Sequence, residues 1–384
     1  MIARPRIMLV AGEPSGDALG GALMAALKEM TGGTVELTGV GGPHMISEGL
    51  ASLFPMTDIA VMGPREVIPR LPKILRRMRQ TAAFAVATHP DLVVIIDSPD
   101  FTHNVAKRIA RRAPDIPIVN YAAPTVWAWR RGRAKAMARY IKRVLALLPF
   151  EPDFFAAHGG LDCVYVGHPA IERLPDKGSG AEFRANHDIP AAAPVLLLLP
   201  GSRLNEVKRL MAVFGATAGR LASLNPDLRF VLPVVPHVRA IVEQAARAWP
   251  VPVDIVEGED NKRAAFDAAT AALAASGTVS LELGLAGVPM VIAYKIDPIA
   301  WTAARLVKVP SVVLVNLILD RPSVREFLQE ECTPENLTQA LSPLLQDDDV
   351  RRQALADLGE LRPLMGVGGD APSRRAARAV LDTL

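Results

Sequence analysis

The chain has 384 residues, 50% of them hydrophobic, and a formal net charge of only +3. This length predicts two domains of ordinary size, and the nearly balanced charge, without a recognised basic motif, argues against a nucleic-acid partner. The two cysteines, Cys163 and Cys332, are too few and too far apart for a disulfide framework or a zinc site, so a reducing cytoplasm is expected. The apolar runs are too short for a signal peptide or a membrane-spanning helix, so any membrane contact would be at the surface.

Residues 6–11 form an apolar run that predicts a strand, and the loop Gly12-Glu-Pro-Ser-Gly-Asp17 joins it to a helical pattern over residues 18–30. A strand, a glycine loop and a helix in this order are typical of a dinucleotide-binding unit, although this loop does not have the G-x-G-x-x-G spacing. Its two carboxylates, Glu13 and Asp17, favour sugar hydroxyls over phosphate as the ligand. Alternatively, Asp17 caps the helix.

Residues 35–40 predict a second strand, and residues 61–80 carry apolar side chains at helical spacing with arginine and lysine between them. Three prolines are expected to break the first part of this segment. A basic amphipathic helix can lie in a membrane interface, or it can pack its apolar face on the core, and both interpretations stay open. The candidate membrane-contact residues are Val67, Ile68, Arg70, Leu71, Lys73, Ile74, Leu75, Arg76 and Arg77.

Residues 91–97 predict a fully buried strand that ends in Asp97, followed by a turn at Ser98-Pro-Asp-Phe101 and a helix over residues 103–112. Because α/β sheets place their chemistry at the carboxyl ends of parallel strands, a carboxylate held there by a proline turn is a candidate general base. The alternative is that Asp97 or Asp100 caps the helix.

The segment 122–133 places two tryptophans beside arginines, an arrangement that suits sugar rings and phosphates and equally suits plain packing. Residues 173–193 are polar and aperiodic and predict a linker. A second series of strands and helices follows, in which a strand at 195–199 leads through Pro200-Gly-Ser-Arg203 into a helix at 204–224. The fold class is therefore α/β, with two Rossmann-like, doubly wound domains facing a cleft.

Residues 271–295 predict a strand, a tight turn, a helix ended by Gly287 and a further strand. The turn Ser276-Gly-Thr278 would aim the N–H groups of a helix N-terminus at one point, which suits phosphate. Glu282, one turn further on, could accept ribose hydroxyls, and Arg203 could pair with the same diphosphate. An ordinary capped helix is the alternative. Asn316 lies in an apolar run and needs a partner, either in the backbone or in the cleft.

Ten short motifs, taken in order, resemble the lipid-A-disaccharide synthase family of inverting, two-Rossmann (GT-B) glycosyltransferases. They are Ala11-Gly-Glu-Pro-Ser-Gly-Asp17, Met62-Gly-Pro-Arg-Glu-Val67, Ile96-Asp-Ser-Pro-Asp-Phe101, Pro124-Thr-Val-Trp-Ala-Trp-Arg130, Leu148-Pro-Phe-Glu151, Val166-Gly-His-Pro169, Leu199-Pro-Gly-Ser-Arg203 with Glu206 and Val207, Ser276-Gly-Thr278 with Leu281 and Glu282, Pro289-Met-Val291 with Tyr294 and Lys295, and Asn316 with Leu317. The chain departs from the family pattern at Pro64 and at Ala122 and Ala123, positions that carry none of the expected chemistry.

The resemblance implies transfer from UDP-2,3-diacylglucosamine to 2,3-diacylglucosamine 1-phosphate, giving a β-1,6-linked disaccharide 1-phosphate and UDP. Asp97 and Arg203 would be catalytic. Ser202, Arg203, Ser276, Gly277, Thr278, Glu282 and Asn316 would bind the donor, and Glu13, Ser15, Asp17 and Asp100 would bind the acceptor. No cofactor is implied, and because no D-x-D pair is placed to hold a diphosphate-bound metal, metal-independent activity is expected.

The resemblance also implies a cytoplasmic protein, peripherally associated with anionic lipid of the inner membrane, and a homodimer. Residues 1–172 would form the acceptor-binding and membrane-facing domain, and residues 194–365 the UDP-sugar domain. Residues 366–384 would form a terminal helix that packs back on the first domain. Two rival functions remain: another GT-B enzyme, such as a UDP-N-acetylglucosamine 2-epimerase, and a non-catalytic nucleotide-binding scaffold at the membrane.

Overall fold

The structure is a computed structural model that describes residues 4–60, 64–129, 132–176, 178–297, 310–346 and 349–384, without the side chains of residues 64–67 and 129. The chain divides into two compact units. The first contains Met1–Pro169 together with Gly369–Leu384, and the second contains Ala170–Gly368.

The first unit is built on a sheet in which six parallel strands lie within the described residues, in the order β2-β1-β3-β4-β5-β6. The strands are β1 (Arg6–Ala11), β2 (Glu36–Val40), β3 (Leu92–Ile96), β4 (Ile118–Tyr121), β5 (Arg143–Ala146) and β6 (Asp162–Tyr165). The helices between them are α1 (Pro14–Met30), α2 (Pro43–Ser47), α3 (Pro64–Thr88), α4 (Pro99–Arg112), α5 (Val126–Trp129), α6 (Gly132–Met137) and α7 (Glu151–Ala157).

The central strands of this sheet are mostly apolar, and β3 is apolar and buried along its whole length, as expected for parallel strands covered on both faces. In β1, Met8 and Val10 belong to the core under α3 and α4, whereas Ile7 and Leu9 belong to the core under α1. Successive side chains of a strand point to opposite faces, so the sheet is covered by helices on both sides.

The second unit repeats this plan, again with six parallel strands among the described residues, in the order β12-β11-β10-β7-β8-β9. Its strands are β7 (Val195–Leu199), β8 (Arg229–Val234), β9 (Asp254–Glu257), β10 (Ala271–Ala275), β11 (Met290–Tyr294) and β12 (Arg325–Leu328). Its helices are α8 (Ser179–Asn186), α9 (Leu204–Leu224), α10 (Arg239–Ala246), α11 (Glu259–Ala268), α12 (Thr278–Ala286), α13 (Leu314–Leu319), α14 (Pro334–Leu341) and α15 (Asp349–Leu364).

Both sheets change winding direction between two neighbouring strands, β1 and β3 in the first unit and β7 and β10 in the second. Ligands of open α/β sheets bind outside the carboxyl ends of the strands at such a switch point. The doubly wound α/β class predicted from sequence is confirmed for each unit, and the topology marks two places where a site is expected.

The predicted linker over residues 173–193 is wrong, because this segment contains α8, which packs on α11 of the second unit. Phe183 is buried, and Arg184 donates hydrogen bonds to the carbonyls of Ala193 and Ala268. Gly180 lies so close to α11 that an added Cβ would be 2.5 Å from the carbonyl carbon of Asp267. These contacts form only after folding and leave no periodic pattern in the sequence.

The C-terminal helix α16 (Pro372–Leu381) packs against α1 in the first unit. Arg375 donates to the carbonyl of Tyr165 at 2.7 Å, and Arg143 donates to the carbonyl of Ala379 at 3.2 Å. Ala376, Ala377 and Val380 are buried in the same core as the inner face of α1.

Candidate functional site

A cavity of about 450 Å³ opens in the second unit at the carboxyl ends of β7, β8, β9 and β10. Its position is the switch point of the sheet. Six of the residues predicted to bind a nucleotide line it together, namely Ser202, Arg203, Ser276, Gly277, Thr278 and Glu282. The loops that follow β7 and β10 therefore bring together residues that are more than 70 positions apart in the chain.

Arg203 is the N-cap residue of α9 and forms a reciprocal capping arrangement with Glu206. Its guanidinium donates to Oε1 of Glu206 at 3.0 Å, and its side chain remains 63% exposed toward the cavity it lines. Gly201 has a φ of +111°, and a Cβ there would lie 2.6 Å from Oε2 of Glu206. The glycine is thus required for the carboxylate to reach the loop and hold the arginine.

Helix α12 begins directly after Gly277, and no side-chain cap is among the contacts described for this helix. Ser276 is turned away from the helix, because its hydroxyl donates to the carbonyl of Val312 at 2.9 Å. The N–H groups of the first turn carry the positive end of the helix dipole. This end of α12 lines the cavity, an arrangement that suits phosphate oxygens.

Lys262 is a cavity residue that sequence reasoning missed. It lies on α11, and its ammonium is 2.6 Å from Oε2 of Glu282 and 3.6 Å from Oε2 of Glu259. Two carboxylates beside a diphosphate would repel it, so the lysine makes the cavity compatible with an anionic ligand. No spacing in the sequence links Lys262 to Glu282, since the pair depends on how two helices pack.

Asn316 does not line this cavity, and its predicted contact with the donor is not supported. Its Nδ2 donates to the carbonyl of Val324 at 2.8 Å, and its Oδ1 accepts from the Val324 N–H at 2.7 Å. The side chain is 5% exposed and fixes the chain between α13 and β12. Of the two partners that remained open, the backbone is the one found.

In the first unit, Asp97 follows β3 at the switch point and is held on both carboxylate oxygens. Ser15 donates to Oδ2 at 2.6 Å, and the Ser98 N–H donates to Oδ1 at 2.8 Å. Asp97 and Ser98 have φ values of +51° and +44°, a left-handed conformation that costs energy for residues other than glycine. Gly12 permits the close approach, since a Cβ there would lie 2.6 Å from the Ser98 hydroxyl.

A smaller cavity of about 220 Å³ opens beside Asp97. It is lined by Asp97, Pro99, Ala123, Pro124, Thr125, Val126 and Arg133. The loop after β4 therefore forms one wall of the cavity that contains the predicted base. Thr125 and Arg133 are cavity residues that the sequence reasoning did not single out, although both lie in the tryptophan- and arginine-containing segment.

None of the four predicted acceptor residues, Glu13, Ser15, Asp17 and Asp100, is among the residues that line this cavity. Asp17 is 1% exposed and caps α2, because its two carboxylate oxygens accept from the N–H groups of Gly42, His44 and Met45 at 2.7–3.1 Å. Its assignment as an acceptor ligand is therefore wrong. The alternative prediction was a cap, but the helix that Asp17 caps is α2 and not α1, in which it lies. Glu13 is the half-buried N-cap residue of α1, and the exposed Asp100 lies in the first turn of α4.

Glu151 is a buried carboxylate, 3% exposed, that connects the end of β5 to α5. Its oxygens accept hydrogen bonds from the N–H groups of Leu147 and Leu148 and from the indole of Trp127, at 2.9–3.3 Å. Burial raises the pKa of Glu151 to about 7, against the opposing effect of these donors. Trp127 is thereby fixed one residue after Val126, which lines the cavity beside Asp97.

Helix α3 presents two different faces. Ile74 and Met78 are buried in the core, and Leu75 is partly buried there, while Arg77 donates to Asp58 at 2.6 Å and stacks over Phe54. Hydrogen bonding from Lys73, and then from Arg77, lowers the pKa of Asp58. Three of the candidate membrane residues, Ile74, Leu75 and Arg77, therefore face the protein and pack in or against its core.

The other candidates, Ile68, Arg70, Leu71 and Arg76, are exposed, and Lys73 is half exposed at its side chain while paired with Asp58. The side chain of Val67 lies outside the described residues. The predicted break at the prolines is wrong, since α3 begins at Pro64 and includes Pro69 and Pro72. Pro64 is tolerated in the first turn, and the inward contacts hold the remainder of the helix.

A model of the lipid-A-disaccharide synthetase family matches residues 7–362 of the chain. The lipid-A-disaccharide synthase of Rhodospirillum centenum is 50% identical over 379 residues, which cover 98% of this chain and 94% of that protein. Among solved structures, the UDP-GlcNAc 2-epimerase of Neisseria meningitidis bound to UDP-GlcNAc has a TM-score of 0.64 and 11% identity, and it covers 99% of both chains. MurG of Acinetobacter baumannii has a TM-score of 0.60 and 16% identity, with 99% of both chains covered. At these identities the structures show a shared GT-B fold.

Proposed function

Because the chain belongs to the lipid-A-disaccharide synthetase family, we propose that it transfers the sugar of UDP-2,3-diacylglucosamine to the 6-hydroxyl of 2,3-diacylglucosamine 1-phosphate. The products are a β-1,6-linked disaccharide 1-phosphate and UDP. The observation that carries the proposal is that each sheet has a cavity at the carboxyl ends of its strands, one with a held carboxylate and one with an arginine and a helix N-terminus. The epimerase alternative rests on fold alone and is not favoured.

Asp97 is the base of the proposed reaction. Its carboxylate accepts the proton of the 6-hydroxyl while that oxygen attacks the anomeric carbon of the donor from the face opposite UDP. The bond from this carbon to the β-phosphate oxygen breaks in the same displacement, so the configuration inverts and no covalent sugar–protein intermediate forms. The bonds from Ser15 and Ser98 support this role, because they fix the direction of the carboxylate.

The cavity of the second unit is the donor site in this proposal. Negative charge grows on the diphosphate as UDP leaves, and Arg203 and the first turn of α12 face that charge. Glu282 accepts the ribose hydroxyls, and Lys262 holds its carboxylate through Oε2. Ser202 and Ser276 belong to the two loops that form the part of the cavity where the diphosphate would bind.

The direct test is a turnover assay with purified protein, UDP-diacylglucosamine and the 1-phosphate acceptor, in which UDP release and disaccharide formation are followed with and without EDTA. We expect equal amounts of UDP and disaccharide, and no loss of rate in EDTA. Release of UDP without disaccharide would indicate a hydrolytic or epimerase-like enzyme. No reaction with this pair of substrates would instead favour the nucleotide-binding scaffold.

Contact with anionic lipid of the inner membrane is the second part of the proposal. In the part of the chain that the structure describes, no helix is both long and apolar enough to cross a bilayer. The exposed face of α3 supports a surface contact, since Ile68 is 69% and Leu71 45% exposed next to the exposed cations Arg70 and Arg76. The homodimer stays a prediction.

Replacing Ile68 and Leu71 together by Asp is expected to lower binding to phosphatidylglycerol-containing vesicles at least about 10-fold, because the change removes apolar anchors and adds negative charge. Vesicle co-sedimentation measures the effect. Leu224 on α9 is also 69% exposed, so Leu224→Asp is a matched control that should sediment like the unmodified protein. Equal losses in both variants would mean that α3 has no special role.

A further inference from the structure

Arg133 is a cation that faces the same small cavity as Asp97 and has no charged partner there. Its side chain is half-buried in α6. Within the described ranges, no carboxylate lies at ion-pair distance from its guanidinium, and Asp97 itself is bonded to Ser15 and Ser98 instead.

The groups packed near Arg133 do not neutralise it either. His103 is 1% exposed, and its Nδ1 lies 3.1 Å from the hydroxyl of Tyr140. Burial, and then the charges of Arg133 and Lys107, lower the pKa of His103 to about 3, so this imidazole is neutral near pH 7. The carboxylate in the cavity, Asp97, is bonded to Ser15 and Ser98, so the half-buried guanidinium has no ion-pair partner among the described residues, and a bound anion would supply one.

The chemistry beside Arg133 restricts what this anion can be. The cavity of about 220 Å³ has a carboxylate at Asp97, a hydroxyl at Thr125 and the guanidinium at Arg133. A neutral sugar can hydrogen-bond to all three groups but brings no negative charge to the guanidinium. A sugar that carries a phosphate satisfies all of them, because the guanidinium fork matches two phosphate oxygens.

We propose that Arg133 binds the phosphate of the acceptor sugar while Asp97 faces the hydroxyl of the same sugar ring. This inference rests on the proposed transfer reaction and identifies the residue that selects a phosphorylated acceptor. Holding the ring by its phosphate fixes where its attacking hydroxyl lies relative to the base. Arg133 is thus a specificity residue and takes no part in proton transfer.

The test compares two acceptors, diacylglucosamine 1-phosphate and the same sugar with a free 1-hydroxyl, each presented in neutral detergent micelles. For Arg133→Gln we expect KM for the phosphorylated acceptor to rise about 10- to 100-fold, the loss typical of a charge-assisted hydrogen bond. KM for the unphosphorylated acceptor should change little, so the preference for phosphate collapses. Arg133→Lys should keep part of the preference.

Lys135 lies on the same helix and is exposed outside the cavity, so Lys135→Gln is the charge-matched control and should keep the full preference. Affinity for UDP and the thermal midpoint of each variant show that the second unit and the fold are intact. An unchanged phosphate preference in Arg133→Gln would overturn the inference.

Lipid headgroups also carry phosphate, and a separate measurement distinguishes them. If Arg133→Gln weakens binding to phosphatidylglycerol vesicles but leaves the KM for the phosphorylated acceptor in micelles unchanged, Arg133 binds membrane lipid and the inference is wrong. Failure of the unmodified protein to join the two sugars at all would contradict the proposed function. An active protein with no preference between the acceptors would contradict only the role of Arg133.

Discussion

Replacing Asp97 by Asn is expected to lower kcat about 10²- to 10⁴-fold, the contribution typical of a general base. The amide has nearly the shape of the carboxylate but cannot take the proton of the attacking hydroxyl. Its oxygen can still accept from the Ser98 N–H, and its NH₂ group can donate to the Ser15 oxygen after the hydroxyl turns. The left-handed turn at residues 97 and 98 should therefore persist, and the loss should be chemical and not structural.

The measurement is single-turnover disaccharide formation, with UDP affinity determined separately. Asp153→Asn, at an exposed position on α7 in the same unit, is the control and should retain full activity. UDP affinity should be equal in all three proteins, because Asp97 lies outside the donor cavity. An Asp97→Asn variant with nearly normal kcat would leave the reaction class intact and remove Asp97 as its base.

Replacing Arg203 by Ala is expected to lower kcat about 10²- to 10³-fold, as found when one preorganised donor to a developing anion is lost. A second effect adds to the first. Glu206 is 8% exposed and is held by Arg203, so the variant leaves a carboxylate without its cation beside the diphosphate. UDP affinity should therefore fall as well.

The double variant Arg203→Ala with Glu206→Gln separates these two effects. If repulsion by Glu206 contributes, the double variant should bind UDP more tightly than Arg203→Ala alone, while its kcat stays low. Lys208→Ala on the same helix, exposed and outside the cavity, controls for loss of a positive charge. A normal kcat in Arg203→Ala would mean that the first turn of α12, and not Arg203, stabilises the negative charge on the leaving UDP.

Local pattern predicted much of this architecture from the sequence. The helix 204–224 and the strands 195–199 and 271–275 have the predicted bounds, because apolar periodicity and flanking glycine or proline define them. Arg203 and Thr278 were predicted to meet because both follow parallel strands of one sheet, and the carboxyl ends of those strands share an edge.

The failures have a common physical origin. Asp17 and Asn316 both lie near helix ends where a polar side chain is often functional. The side chain of Asp17 instead binds backbone groups of a distant segment, and that of Asn316 binds the backbone on the other side of a turn. Lys262 pairs with Glu282 only after α11 packs beside α12. A polar side chain at the end of a strand or helix can bind either a ligand or a backbone group. Which of the two it binds depends on tertiary contacts that are not visible in the sequence.

The first unit is completed by residues 369–384, although the whole second unit separates them from residues 1–169 in the chain. During synthesis the second unit emerges before these residues, so it can fold while the face of α1 that α16 covers is still bare. Leu23 and Leu27, fully buried in the finished protein, belong to the core that α16 closes. The half of the protein that is made first is therefore the last to reach its final packing.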